Sequence, residues 1–88
     1  MKIRSTQDMG ALIRDSRRHQ NLDQQALADR IGVSRPWISE LENGKATIRL
    51  DLVLRAIAAL DLVIDIADRP IDGGKSRSAA LIAKALDR

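Results

Sequence analysis

Apolar residues recur along the first sixty positions at the three- and four-residue spacing of helices. Met9, Leu12 and Ile13 mark one face of a first helix. Ser5 stands before it as an N-cap, with Asp8 three residues on, and the pattern stops near Gln20-Asn21. Asp23 opens a second helix over about Gln24 to Ile31, with Ala26, Leu27 and Ile31 facing inward. Gly32 stops it, a residue that tolerates the positive φ of a helix end. Ser34 caps a third helix that runs to about Glu42. Pro36 falls in its first turn, where a missing N–H costs little, and Asn43-Gly44 ends it. A loop from Lys45 to Ile48 leads to a fourth helix. There Leu50, Val53, Leu54, Ile57, Ala58 and Leu60 predict a core face plus a second contact surface.

The period then changes. Leu62, Val63, Ile64, Asp65 and Ile66 form a β-branched run that places Leu62, Ile64 and Ile66 on one side, the one strand candidate in the chain. A lone strand leaves its N–H and C=O groups unpaired. Its expected partner is the same segment of a second copy, giving a two-stranded ribbon across a homodimer. The competing reading extends helix four or lays the run over the core. Arg69-Pro70 ends the run, since proline donates nothing to a ladder. Asp72-Gly73-Gly74-Lys75 reads as a flexible joint. Beyond it, Ala79, Ile82, Ala83 and Leu86 form a short amphipathic stripe, marginal as a helix on its own. Residues 1–68 are thus expected to be one folded, dimerising domain, and residues 69–88 a flexible tail.

Composition narrows the class. A chain of 88 residues suits one small domain, the size at which oligomerisation helps to complete a core. One Trp is the only aromatic, so the core must come from Leu, Ile, Val and Ala, which favours helix packed on helix. The absence of cysteine excludes disulfides and thiolate metal sites. Met1 to Gly10 holds no apolar signal region, and no apolar run is long enough to span a bilayer. A cytoplasmic, nucleoid-associated protein without a membrane partner is expected. The whole excess charge of +3 sits in residues 1–49, the electrostatic footprint of a polyanion binder, although +3 is also ordinary for a soluble domain. No phosphate-binding glycine loop, zinc-protease helix or serine elbow is present, and His19 stands beside Arg17 and Arg18 without a catalytic partner. No enzyme activity, metal or cofactor is expected.

The stretch Leu22 to Gly44 carries the function. It comprises a short helix, a turn containing Gly32, and a second short helix; Ala28 lets the two cross closely, and Val33 and Ile38 plug the space between them. Two helices at a steep angle across a tight turn are the helix-turn-helix signature, in which the second helix can enter a DNA major groove.

At this point the sequence resembles the Cro/C1 phage-repressor, or Xre, family over Leu12 to about Leu62. Gln24, Leu27-Ala28, Gly32, Ile38-Ser39 and Glu42-Asn43-Gly44 carry the likeness. The resemblance implies a mainly α, four- to five-helix, lambda-repressor-like domain. It implies DNA contact by Gln24, Gln25, Ser34, Arg35, Pro36, Ser39 and Glu40, and a phosphate-holding loop of Asn43, Gly44, Lys45 and Thr47. Gln24 matches a glutamine that approaches the DNA backbone and supports the first base contact. Arg35 is the expected base reader, since a guanidinium can grip guanine O6 and N7 together. Glu40 either accepts from a cytosine amino group or is a solvated charge. Trp37 departs from the family's usual small residue; it either packs as core or touches a thymine methyl or sugar edge. Arg17 and Glu42 resemble a pair that the family joins by a salt bridge, orienting the recognition helix.

The order of elements resembles HipB-type antitoxins more narrowly: Ile3-Arg4-Ser5 opens the chain and a short strand follows helix four. That resemblance implies dimerisation through Leu62, Val63, Ile64, Asp65 and Ile66, with two recognition helices in successive major grooves about 34 Å apart. It implies double-stranded operator DNA and a HipA-like kinase toxin as partners. The alternative is a stand-alone dimeric Xre-type repressor with no toxin.

Overall fold

The computed structural model describes residues 2–68. The joint and the amphipathic stripe expected at 69–88 lie outside the described residues. Among those residues the chain forms α1 (Thr6–His19), α2 (Gln24–Ile31), α3 (Arg35–Glu42) and α4 (Leu50–Ala59). Three of these helices start on the caps expected for them. Ser5 Oγ accepts from the Asp8 N–H at 3.0 Å, Asp23 from the Ala26 N–H at 2.7 Å, and Ser34 from the Trp37 N–H at 3.2 Å. The Asp8 carboxylate reaches back to the Arg4 N–H at 2.9 Å, one residue beyond the expected box. The fourth helix starts at Arg49 without a side-chain cap. Asp51 in its first turn instead places a carboxylate at the positive end of the helix dipole. The hydrogen bond from Arg49 at 2.6 Å holds that carboxyl below its usual range, so it stays ionised there.

All four helices stop in the same way. In each, a residue with positive φ closes the helix: Asn21 at 58°, Gly44 at 80° and Asp61 at 57° directly after the caps of α1, α3 and α4, and Gly32 at 75° as the cap of α2 itself. The N–H of the next residue then bonds to the carbonyl five positions earlier, as Leu22 to Arg17, Val33 to Ala28, Lys45 to Glu40 and Leu62 to Ile57. This is the Schellman closure, in which the residue after the turn commonly makes an apolar contact back onto its helix. Leu22, Val33 and Leu62 do so, each packing against the core. Lys45 is the exception and stays exposed.

α1 packs on α3, α3 on α2, and α2 on α4. Ile13, Leu27, Ala28 and Ile38 are completely enclosed, and Ile31, Leu41, Val53, Ala56, Ile57 and Leu60 complete the core. Long side chains tie the loops to distant elements. Gln20 donates to the Leu60 carbonyl at 2.8 Å, and Arg55 to the Ile31 carbonyl at 3.0 Å. The second surface expected on α4 is present: Leu50 and Leu54 are exposed while Val53 and Ile57 are buried.

Residues 62–68 are neither helix nor strand in the single chain. Leu62, expected to begin a strand, instead closes α4. Past it, Val63 and Ile66 stand 89% and 84% exposed. The segment faces Lys2–Arg4 across an open cleft of about 730 Å3 floored by Met9, Leu12 and Ile57. Among the described residues there is no second strand to satisfy the ladder, so regular pairing has nothing there to form against.

Gly10 decides how closely α1 meets α3. A Cβ there would lie 2.4 Å from the Leu41 carbonyl oxygen and 2.6 Å from that of Glu42, both backbone atoms that cannot swing away. Glycine inside an exposed helix is normally worth replacing, because alanine gains about 1 kcal/mol of helix propensity. Here overpacking, at roughly 1–3 kcal/mol, outweighs that gain. Gly10→Ala is expected to lower the thermal midpoint by roughly 4–8 °C for each net kcal/mol lost, read by far-UV circular dichroism. An unchanged or raised midpoint would show that the two helices do not depend on this close approach.

Candidate DNA interface

α3 and the loop after it, with Gln24 and Gln25 at the start of α2, carry the residues singled out above, and the end of α3 is fixed from below. Arg17 and Glu42 lie buried between α1 and the end of α3, with side chains 8% and 3% exposed. Arg17 Nε donates to Glu42 Oε2 at 2.7 Å and Nη2 to Oε1 at 3.0 Å, a two-pronged pair. The remaining terminal nitrogen, Nη1, donates to the Leu22 carbonyl at 2.8 Å, at the start of the helix-turn-helix stretch. The hydrogen bonds it donates to Glu42 push the Arg17 guanidinium still above its ordinary, already high, pKa. One interaction thus joins α1, the α1–α2 turn and α3.

Glu42 Oε1 accepts a further bond, from Gln24 Nε2 at 3.2 Å. Gln24 Oε1 in turn accepts from Arg35 Nε at 3.4 Å, across the helix-turn-helix crossing. The structure thus brings Gln24 and Arg35 together at one end of the exposed face. The link from Gln24 back to Glu42 was not among the sequence expectations. Its signal was the pairing of an acceptor-only with a donor-only side chain on either side of a glutamine, which becomes visible only once the fold is known.

The other expected contacts lie on α2, α3 and the loop that follows α3. Ser34 and Pro36 sit at the exposed start of α3, where the Ser34 hydroxyl oxygen is already engaged in capping. Ser39 and Asn43 join through Asn43 Nδ2 at 3.4 Å. Glu40 and Lys45 form an ion pair at 3.1 Å, each about half exposed. Thr47 is exposed in the loop beyond. Gln25 bonds to Asp29 on its own helix at 2.8 Å. Trp37 is half-buried and packs against the core.

Sequence reasoning also missed the anchor of the loop. Thr6 Oγ1 donates to the Gly44 carbonyl at 2.7 Å, linking the first turn of α1 to the end of α3. Gly44 itself presses on Gln7, whose Cα would be 2.8 Å from an added Cβ, so the turn is pinned by contact as well as by its positive φ. Lys45 follows directly and takes the outward Schellman position that the other three helices fill with an apolar side chain.

Residues 8–69 match the model of a helix-turn-helix domain. The chain belongs to the helix-turn-helix family of DNA-binding transcriptional regulators. It is 42% identical over 65 residues to an HTH-type transcriptional regulator of Sinorhizobium fredii, y4mF, covering 74% of this chain and 86% of that protein. Over 37 residues it is 43% identical to the ImmF control region 10 kDa protein of Bacillus phage phi105, covering 42% of this chain and 41% of that one. Its helix-turn-helix fold is also that of HipB. Against the HipB-O4 20mer complex the TM-score is 0.71 at 25% identity, covering 77% of this chain and 96% of the other. The HipA-HipB-O2-O3 complex gives the same score and identity. No described helix is long and apolar enough to cross a membrane.

Removing one partner of a buried pair strands a charge, at about 3–5 kcal/mol, whereas replacing both by apolar groups is often close to neutral. Arg17→Met alone is therefore expected to lose about 3–5 kcal/mol in urea unfolding, and the Arg17→Met/Glu42→Leu pair much less. Additive losses in that double-mutant cycle would show that the two charges do not act as one unit.

Proposed function

We propose that this chain is the DNA-binding antitoxin of a HipBA-type toxin–antitoxin module. Two copies pair through residues 62–66, so that strands absent from one chain form between two. Each copy then presents α3 to one major groove of a palindromic operator, and the dimer represses its own operon. Arg35 reads a base edge, Gln24 and Gln25 approach the backbone, and Ser34, Pro36, Ser39 and Glu40 line the groove. Asn43, Lys45 and Thr47 hold phosphates. The same dimer binds a kinase-fold toxin of the HipA type.

The observation that carries this reading is Lys45. It occupies a turn position that the chain otherwise fills with core-packing residues, and here holds a cation outward beside the recognition helix. Ile3, Val63, Ile64 and Ile66 add an exposed apolar edge of the kind a second copy would cover. The likeness to HipB, including a complex whose name contains HipA, supports the finer reading.

Affinity purification of the tagged protein from its own host, with and without DNase, tests it. The expected result is a stoichiometric kinase-fold protein that survives DNase, together with the chain's own promoter in the untreated sample. Promoter DNA with no protein partner would overturn the antitoxin role and leave a stand-alone repressor. Recovery of neither would overturn DNA binding as well.

A further inference from the structure

We infer that Asn43-Gly44, at the end of α3, is a site of spontaneous deamidation, held closed by the Thr6 hydroxyl and converted one way when that contact opens. In an asparagine–glycine pair the following backbone nitrogen attacks the asparagine side chain most readily, because glycine sets no side chain in the way. The chain has two asparagines, and only Asn43 precedes glycine; Asn21 precedes the branched Leu22. Asn43 is exposed, so water and base reach its carboxamide. The reaction needs no other reagent. The Gly44 nitrogen gives its proton to solvent and bonds to Asn43 Cγ, while the Cγ–Nδ2 bond breaks and Nδ2 leaves as ammonia. Water then opens the five-membered imide at either carbonyl, giving aspartate or isoaspartate at position 43.

The fold opposes each part of that attack. Asn43 caps α3 with ψ at 2°, and the ring closes only after rotation about that Cα–C bond. The Gly44 N–H that must be freed donates to the Leu41 carbonyl at 3.1 Å, and Asn43 Nδ2 donates to Ser39 Oγ at 3.4 Å. Rotation would swing Gly44 out of its seat, and its neighbours hold it there. Thr6 Oγ1 donates to its carbonyl at 2.7 Å, Gln7 lies against it, and the Lys45 N–H beyond it closes on the Glu40 carbonyl at 3.0 Å. The Thr6 bond reaches across to α1, so the turn opens only when it parts from that helix. Local opening therefore sets the rate of conversion.

What the conversion does rests on the phosphate-holding loop proposed above. Asn43 can donate through Nδ2, whereas a carboxylate only accepts, and an anion there repels phosphate. Isoaspartate also adds a backbone atom inside the closure from Glu40 to Lys45. Either product is expected to bind any duplex about tenfold more weakly, the scale of one lost charge-assisted hydrogen bond. DNA that holds the loop keeps the turn shut, so the chain is converted while free and spared while bound.

The test incubates the full-length protein at mildly alkaline pH and follows the gain in mass, the exchange of NH2 for OH, peptide by peptide. Conversion at position 43 is expected in denaturing urea and roughly tenfold slower in the folded chain. Excess duplex should slow it further. Thr6→Val, folded by circular dichroism, should speed it severalfold, and Thr6→Ser, which keeps the hydroxyl, should not. Asn43→Asp, made directly, should bind duplex about tenfold more weakly than the wild type.

No conversion in urea, or conversion as fast folded as in urea, would overturn the site. Equal rates in folded Thr6→Val and wild type would overturn the gating by Thr6. Should Thr6→Val fail to fold, urea below the melt decides on the wild type: conversion should rise in step with hydrogen exchange of the Gly44 N–H, and conversion without that exchange would overturn the gating. A protected site whose rate ignores duplex, with Asn43→Asp binding as the wild type does, would leave the chemistry standing and overturn the phosphate contact and the loss of binding.

Discussion

The buried ion pair between Arg17 and Glu42 is the junction at which the fold becomes a reading surface. Around it the molecule is built of small aliphatic contacts, which fix volume well but direction poorly. A two-pronged guanidinium–carboxylate contact is directional, and here it joins α1 to the last turn of α3 while a third nitrogen holds the start of the α2 segment. Its net worth to stability is small, because desolvating two charges offsets most of their attraction. Its worth lies in geometry. Gly10 lets α1 approach α3 closely enough for the pair to close, and Thr6 and Gly44 secure the far side of the same contact.

The repeated helix ending shows how the same local device is put to two uses. Three of the four turns tuck an apolar side chain into the core, so that each ending also strengthens the packing. The fourth, after α3, directs Lys45 outward, where it pairs with Glu40. Loss of an apolar contact there is tolerable because Thr6 and Gln7 already pin the turn. A cation beside the exposed helix face is what remains when packing no longer requires that position.

Much of this was legible in the sequence because helix boundaries are written locally. Ser5, Asp23 and Ser34 begin helices, and Gly32 and Gly44 end them, each by a rule that involves a few neighbouring residues. The Leu22 to Gly44 stretch likewise carried its own crossing in Ala28, Val33 and Ile38. What the sequence did not reveal depends on distance along the chain. Gln20 meeting Leu60, Arg55 meeting Ile31 and Gln24 meeting Glu42 need the tertiary fold before they exist. Leu62 was ambiguous for another reason: a β-branched run and a helix closure overlap there, and the closure claims the leucine. Among the described residues no strand forms, and the β-branched run after Leu62 stays irregular and exposed.

On this reading the buried pair serves aim and not stability. Replacing both charges together separates the two, because Arg17→Met/Glu42→Leu removes one positive and one negative group and leaves the net attraction for DNA unaltered. The decisive measurement is the affinity of that folded double variant for operator and for unrelated duplex at the same salt. The expected result is a cooperative melt close to that of the wild type, unrelated duplex bound as before, and operator preference largely lost. Full operator preference in a variant lacking both charges would contradict the account.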